Sequence, residues 1–194
     1  LLKEEITFFK QNGFLLLENY FSNSEMNRIE NEVPHLLQMD IPERVMEKTG
    51  VVRTFFAPDN YSDVFKKLMR LNKLIEPMRQ LLNDEVYVFQ SKINIKAALL
   101  GEWWQWHQDY FYWKREDNIP TSNIINVAIY MDDVTGLNGP MLLIPGTHEE
   151  EIQMEPNHMT NLKDNNSLLS SEMKYVLKKE TLQKFVEEKG EIYQ

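Results

Sequence analysis

Two hydrophobic rhythms run along this chain, and the change between them falls near residue 86. Before it, Leu2, Ile6, Phe8 and Phe9 recur close to a 3.6-residue spacing and Gly13 follows as a stop, which predicts a short amphipathic helix. Phe14 to Leu17 is an apolar run that reads as a buried strand. Ser22-Asn23-Ser24-Glu25 has the Ser-x-x-Glu form of a capping box, so a helix is expected from there to about Leu37. Met39 to Gly50 reads as a loop or a broken helix, and Val51 to Ala57 as a strand. Two helices then fill Tyr61 to Leu82.

From Val86 the period becomes two. Tyr87, Phe89, Ile93, Ile95 and Ala97 are the apolar positions, and Gln90, Lys92, Asn94 and Lys96 the polar ones between them. A second alternating strand is expected from about Asn123 to Asp132, with Ile125, Val127, Ile129 and Met131 on one face. Asn138-Gly139-Pro140 is a turn, and Met141 to Ile144 a short strand closed by Pro145-Gly146. A helical pattern resumes around Ser171 to Lys189. After Gly190, the run Glu191-Ile192-Tyr193-Gln194 reads as a strand just beginning. The expectation is an α+β protein with a mainly β core, a curved antiparallel sheet backed by helices. Residues 1–194 form a single domain in this reading, with a helix-and-strand part over 1–84 and the β core from 85. Further strands are expected after Gln194.

Composition narrows the classes without choosing among them. The chain has 194 residues, 42% of them hydrophobic and 26% charged, which is globular and leaves room for a core. No apolar run is long enough to span a bilayer, and no charged segment followed by an apolar stretch opens the chain as a signal peptide does. Cysteine is absent, which excludes disulfides and thiolate ligands and fits a cytoplasmic location. A net charge of −9 argues against a nucleic-acid partner, since phosphate backbones call for clustered Lys and Arg. The charge says nothing positive about a substrate. Nothing in the pattern speaks to oligomeric state.

The densest local signal is Trp103-Trp104-Gln105-Trp106-His107-Gln108-Asp109-Tyr110-Phe111-Tyr112-Trp113, which contains all four tryptophans and a His-x-Asp pair. In an extended segment, side chains at i and i+2 point to the same face, so His107 and Asp109 would lie on one strand and present an imidazole and a carboxylate to one ion. Those are two ligands of the two-His, one-carboxylate triad that leaves positions open on Fe(II). Taken alone, the pair reads more readily as a surface His beside an Asp, and the aromatic run as plain core.

Longer stretches carry a resemblance. Trp-His-Gln-Asp-Tyr-x-Tyr-Trp followed by Ile119-Pro120 resembles the iron-binding segment of the phytanoyl-CoA dioxygenase family, and within it the ectoine-hydroxylase branch. Val52-Arg53-Thr54-Phe55-Phe56 resembles that branch's Arg-Ser-x-Phe strand, and Phe89 to Lys96 the strand upstream of the iron motif. Asn138-Gly139-Pro140 and Ile144-Pro145-Gly146-Thr147-His148 resemble the family's Asn-Gly-Pro and Pro-Gly-Ser-His segments. The matches stand in family order over nearly the whole chain.

The resemblance implies a double-stranded β-helix (a jelly-roll, cupin-like fold) with helices packed outside, and a hydroxylase using Fe(II), 2-oxoglutarate and O2. His107 and Asp109 would be iron ligands. Gln90, Asn94 and Trp106 would border the co-substrate, and Tyr112 and Trp113 the substrate. The distal histidine would come from beyond Gln194. His148, after Pro145-Gly146, is not that ligand in the family pattern, His35 sits in a helix and His158 in a polar loop. A carboxylate at Asp109 favours hydroxylation over halogenation. The substrate implied is a compact polar or zwitterionic metabolite, ectoine- or amino-acid-like, which Tyr110, Tyr112 and Trp113 could box. An acyl-CoA substrate, and a metal-free member that binds without turnover, are the alternatives.

Overall fold

The computed structural model describes residues 1–101, 104–157, 173–190 and 192. Helix α1 (Lys3–Asn12) ends at Gly13, whose φ of 81° is the left-handed conformation that a side chain would resist. Helix α2 (Asn23–Leu37) opens on the expected capping box. Glu25 N–H meets the Ser22 side chain, and the Glu25 carboxylate returns to the Ser22 N–H at 2.7 Å. Between these helices the expected strand over Phe14 to Leu17 is absent, and Leu16 is 66% exposed. A four-residue apolar run needs a neighbouring strand to pair with, and this one connects two helices.

The loop expected over Met39 to Gly50 contains a strand instead, β1 (Arg44–Met46). It is antiparallel to β2 (Val52–Phe56), the strand expected there, and β3 (Lys92–Asn94) joins on the other side to give the order β1-β2-β3. Thr54 stands opposite Asn94 and Phe55 opposite Ile93. After a 3-10 turn at Pro58–Asn60 come α3 (Asp63–Leu68), capped by the Ser62 hydroxyl, and α4 (Asn72–Leu82), as expected.

The core lies between this sheet and the helices. Ile29 and Leu36 of α2, Phe55 of β2, Phe65 and Leu68 of α3 and Ile93 of β3 form one buried cluster. Ile93 is 2% exposed, yet Tyr87 on the same parity is 82% exposed. Only Lys92–Asn94 of the long alternating run is laddered, so the apolar face is buried or half-buried where β2 backs it, Ile95 included, and open before it at Tyr87 and Phe89. The strand expected over Asn123 to Asp132 is likewise not laddered, although Ile129 and Met131 pack against the core. At Met141 to Ile144 pairing shrinks to a bridge at Leu143.

Farther along are α5 (Asp109–Glu116), β4 (Glu155–Pro156) paired antiparallel with β5 (Tyr175–Val176), and α6 (Lys179–Lys189). The helix expected from Ser171 thus begins later, after a short strand. Ser171 itself, and the strand expected from Glu191, lie outside the described residues. Among the described residues no helix is long and apolar enough to cross a membrane.

Candidate metal centre

The His-x-Asp pair does not lie on one strand. Asp109 opens α5, and Gln108 just before it is extended, with φ −113° and ψ 121°. One extended residue is enough to send its two neighbours the same way and its own side chain the other. His107 Nε2 stands 3.3 Å from Asp109 Oδ1. Gln108 turns away and is stitched to a different segment: its Nε2 donates to the Glu150 carbonyl at 2.8 Å, and its Oε1 accepts from the Ile152 N–H at 3.4 Å. The expected convergence is present, on a strand-to-helix junction rather than within a strand.

Both members of the pair are oriented from behind. His107 Nδ1 is 2.6 Å from the Gln105 carbonyl, which can only accept, so the hydrogen sits on Nδ1 and Nε2 faces Asp109. Asp109 Oδ2 accepts from Asn126 Nδ2 at 2.8 Å. Their side chains are 26% and 34% exposed, at the wall of the fold rather than in its core. Burial pulls the His107 pKa down, but the hydrogen bond and charge of Asp109, aided by the Gln105 carbonyl, outweigh it and raise it above 6.5. Burial likewise favours the neutral Asp109 carboxyl, and His107, Asn126 and the Lys92 cation overcome that, leaving its pKa at about 2. A proton or a cation between Nε2 and Oδ1 is what this arrangement attracts.

The loop carrying His107 is pinned along its length. Arg53 lies over the Trp104 ring at 3.9 Å, with the Lys92 ammonium 5.9 Å from the same ring. Asn157 Nδ2 donates to Gln105 Oε1 at 3.3 Å, and the Leu177 N–H donates to the Trp106 carbonyl at 3.1 Å. In α5, Tyr112 meets the His107 ring edge-on at 6.1 Å. Its hydroxyl donates to the Tyr175 carbonyl and accepts from the Tyr175 N–H at 2.9 Å. Burial, first among several causes, pushes the Tyr112 phenol up to about 12. What Tyr112 turns toward the pair is therefore its ring, since its one donor is committed to β5.

Of the other expected site residues, Trp106 is half-buried beside the pair and Trp113 half-buried, its carbonyl closing the end of α5 on the N–H groups of Asp117 and Ile119. Asn94 is exposed and accepts from the Thr54 hydroxyl at 3.1 Å, and Gln90 is exposed. Lys92, midway between them in the alternation, is the member of that face whose charge acts on both His107 and Asp109. His148 packs on the α1 end instead: its Nε2 lies 3.2 Å from the Lys10 carbonyl and its ring lies against Gly13. His158 and Trp103 lie outside the described residues. Sequence reasoning overlooked Asn126 and gave Lys92 no part in the site. Parity was the available signal for both, since Asn126 alternates with Ile125 and Val127 as Lys92 does with Ile93.

The donor set suits a borderline cation such as Fe(II), which takes imidazole and carboxylate together. Two ligands about 2.1 Å from one ion at right angles stand roughly 3 Å apart, close to the 3.3 Å here. The residues present thus fit two protein ligands of such a centre. Among the described residues no group of three or more His, Cys, Asp or Glu side chains forms a complete metal site.

Comparison with known proteins bears on the family and the fold. L-proline trans-4-hydroxylase of Streptomyces griseoviridis is 34% identical over 143 residues, covering 73% of this chain and 53% of that protein. Ectoine dioxygenase of Bordetella bronchiseptica is 32% identical over 154 residues, covering 77% of this chain and 50% of the relative. The chain thus spans about half the length of the curated relatives it matches. The crystal structure of EctD from S. alaskensis with 2-oxoglutarate and 5-hydroxyectoine superposes with a TM-score of 0.77 at 23% identity, over 100% of this chain and 63% of that one. A crystal structure of the same protein with bound Fe gives 0.77 at 24% identity, over 100% of this chain and 63% of that one. The fold of this chain is therefore that of the matching part of EctD. The family model for phytanoyl-CoA dioxygenase matches residues 9–191, and the chain belongs to that family.

Proposed function

We propose that the protein is an Fe(II)- and 2-oxoglutarate-dependent dioxygenase that hydroxylates an unactivated C–H of a small polar or zwitterionic metabolite, ectoine- or amino-acid-like. The observation that carries this is the approach of His107 Nε2 to Asp109 Oδ1 at 3.3 Å, with the imidazole tautomer set by Gln105. The relatives' names, a proline hydroxylase and ectoine dioxygenases, support the reaction and the substrate class. The likeness to EctD supports a double-stranded β-helix, of which β1-β2-β3 would be one part.

Bound iron would supply activation of O2 against 2-oxoglutarate. The chain's part is to hold and to shelter. His107 would bind through Nε2 and Asp109 through Oδ1, and a further histidine, not His148 or His158, would complete the set. The Nδ1–H to Gln105 bond keeps the Nε2 lone pair directed at the cation and blocks the opposite tautomer. Trp104 and Trp106 wall the loop against water, which would otherwise quench a reactive oxidant. Gln90, Asn94 and Trp106 border the co-substrate. The Trp113 indole and the Tyr112 ring face the substrate, whose cationic end their π-faces would attract.

The test uses the full-length protein. Anaerobic calorimetry with Mn(II), an oxygen-stable stand-in, should show one bound metal, and His107→Ala or Asp109→Ala should abolish it. With Fe(II) present, succinate release from 2-oxoglutarate should rise when proline or ectoine is added, and the same assay with an acyl-CoA scores the rival substrate. Metal binding that survives both substitutions would refute the assignment.

A further inference from the structure

One contact at the pair has no role in the reaction just described. Asn126 is exposed and lies 17 residues from Asp109 in the chain, yet its Nδ2 donates to Asp109 Oδ2 at 2.8 Å. The other carboxylate oxygen, Oδ1, faces His107 Nε2 at 3.3 Å. The two oxygens of one carboxylate are therefore spent differently, one on the imidazole side and one on an amide.

A carboxylate can hold a cation through one oxygen or clamp it with both. Clamping would turn Oδ2 inward and break the Asn126 hydrogen bond. We infer that Asn126 is a positioning residue that holds Asp109 to one-oxygen ligation and so keeps a coordination position free for a chelating co-substrate. This rests on the metal reading above. An amide suits the task for two physical reasons. Its N–H is neutral, so it leaves the negative charge that attracts the cation intact, and it does not titrate, so the restraint is the same at every working pH. A lysine there would compete with the metal for the carboxylate.

The experiment compares the full-length wild type with Asn126→Ala, the nearly isosteric Asn126→Leu, and His107→Ala. Mn(II) affinity is measured first, and 2-oxoglutarate affinity is then measured at saturating Mn(II). Residues that orient a metal ligand are worth about 10–100-fold in metal affinity. Asn126→Ala should lose that much if losing the restraint outweighs a second Asp109 bond, and less if the second bond compensates. Either way the inference requires weaker 2-oxoglutarate binding to the metal-loaded protein, because the freed Oδ2 now occupies its place. Asn126→Leu, which removes the donor at nearly constant shape, should do the same. The visible bands of Co(II)-loaded protein should weaken in both variants, as coordination number rises, which a merely structural role would not produce. Because the side chain is exposed, the melting temperature should stay near the wild-type value. Wild-type 2-oxoglutarate affinity and an unchanged Co(II) spectrum in both Asn126 variants, with metal binding lost in His107→Ala, would overturn the inference and leave the metal site standing. Metal binding retained in His107→Ala would instead overturn the site reading beneath it.

Discussion

The guanidinium of Arg53 lies over the indole of Trp104, 3.9 Å from the ring centroid, and joins the sheet to the loop that carries the candidate ligands. Arg53 is on β2, and its Nη1 donates to Glu47 Oε1 at 3.2 Å; the two side chains are 2% and 1% exposed. Trp104 stands three residues before His107. A planar cation held by a buried carboxylate offers the indole a rigid surface, which a flexible lysine would not.

Breaking a buried ion pair by removing one partner costs up to about 3–5 kcal/mol. Glu47→Ala should therefore lower the melting temperature by up to roughly 6–20 °C. Arg53→Lys, which keeps the charge but loses the stacked plane, should lower Trp104's contribution to fluorescence anisotropy and weaken Mn(II) binding. Thermal melts and metal titration of the two variants check this together.

Tyr112→Phe keeps the ring beside His107 and removes the two hydrogen bonds to the Tyr175 backbone. Leaving a partly buried N–H and C=O unpaired costs about 1–3 kcal/mol. The expected result is a lower melting temperature with the substrate KM nearly unchanged. A raised KM at unchanged stability would mean that the hydroxyl serves the substrate instead.

His148 should prove dispensable for metal binding, since its partners are Lys10 and Gly13 at the end of α1. Mn(II) affinity of His148→Ala should match wild type. Gly13→Ala should be destabilised, because φ is +81° and the added Cβ would stand 2.5 Å from His148 Cγ. In the double variant the contacts with the ring atoms disappear, while the Cβ of residue 148, 2.8 Å from the added one, and the backbone strain remain. A chemical denaturation series over the three variants separates the ring's share from the rest.

Glu25 supplies a pH signature. The Ser22 backbone N–H, then Lys73 and the Ser22 hydroxyl, hold its carboxyl at about 2 against an ordinary 4.5. A depressed folded-state pKa stabilises above the unfolded value, and that stability is lost as pH falls through the folded one. The difference in unfolding free energy between wild type and Glu25→Ala should be constant above about pH 5 and should narrow as pH falls from 4.5 toward 2. Urea titrations along that range would show it.

Features built from neighbours in the chain were readable in advance. The Ser22–Glu25 box and the Gly13 stop involve residues within one helical turn, so residue type and spacing carry the whole interaction. His107 and Asp109 converge because one extended residue separates them, and that spacing survived even though a helix begins where a strand was expected.

Strands were less readable, because a strand exists only through the neighbour it bonds. Arg44–Met46 is too short to show a period and is a strand because Val52–Phe56 lies beside it. Asn123 to Asp132 shows a period and is not laddered. By itself the sequence determined the family, the ends of α1 and α2 and the pair at residues 107 and 109. Tertiary structure alone brought Asn126 to Asp109, Arg53 to Trp104 and Tyr112 to Tyr175, across separations of 17, 51 and 63 residues. Alternation states which side a residue faces and is silent on what it meets there. That is settled only when loop closure and burial of the core bring distant segments together.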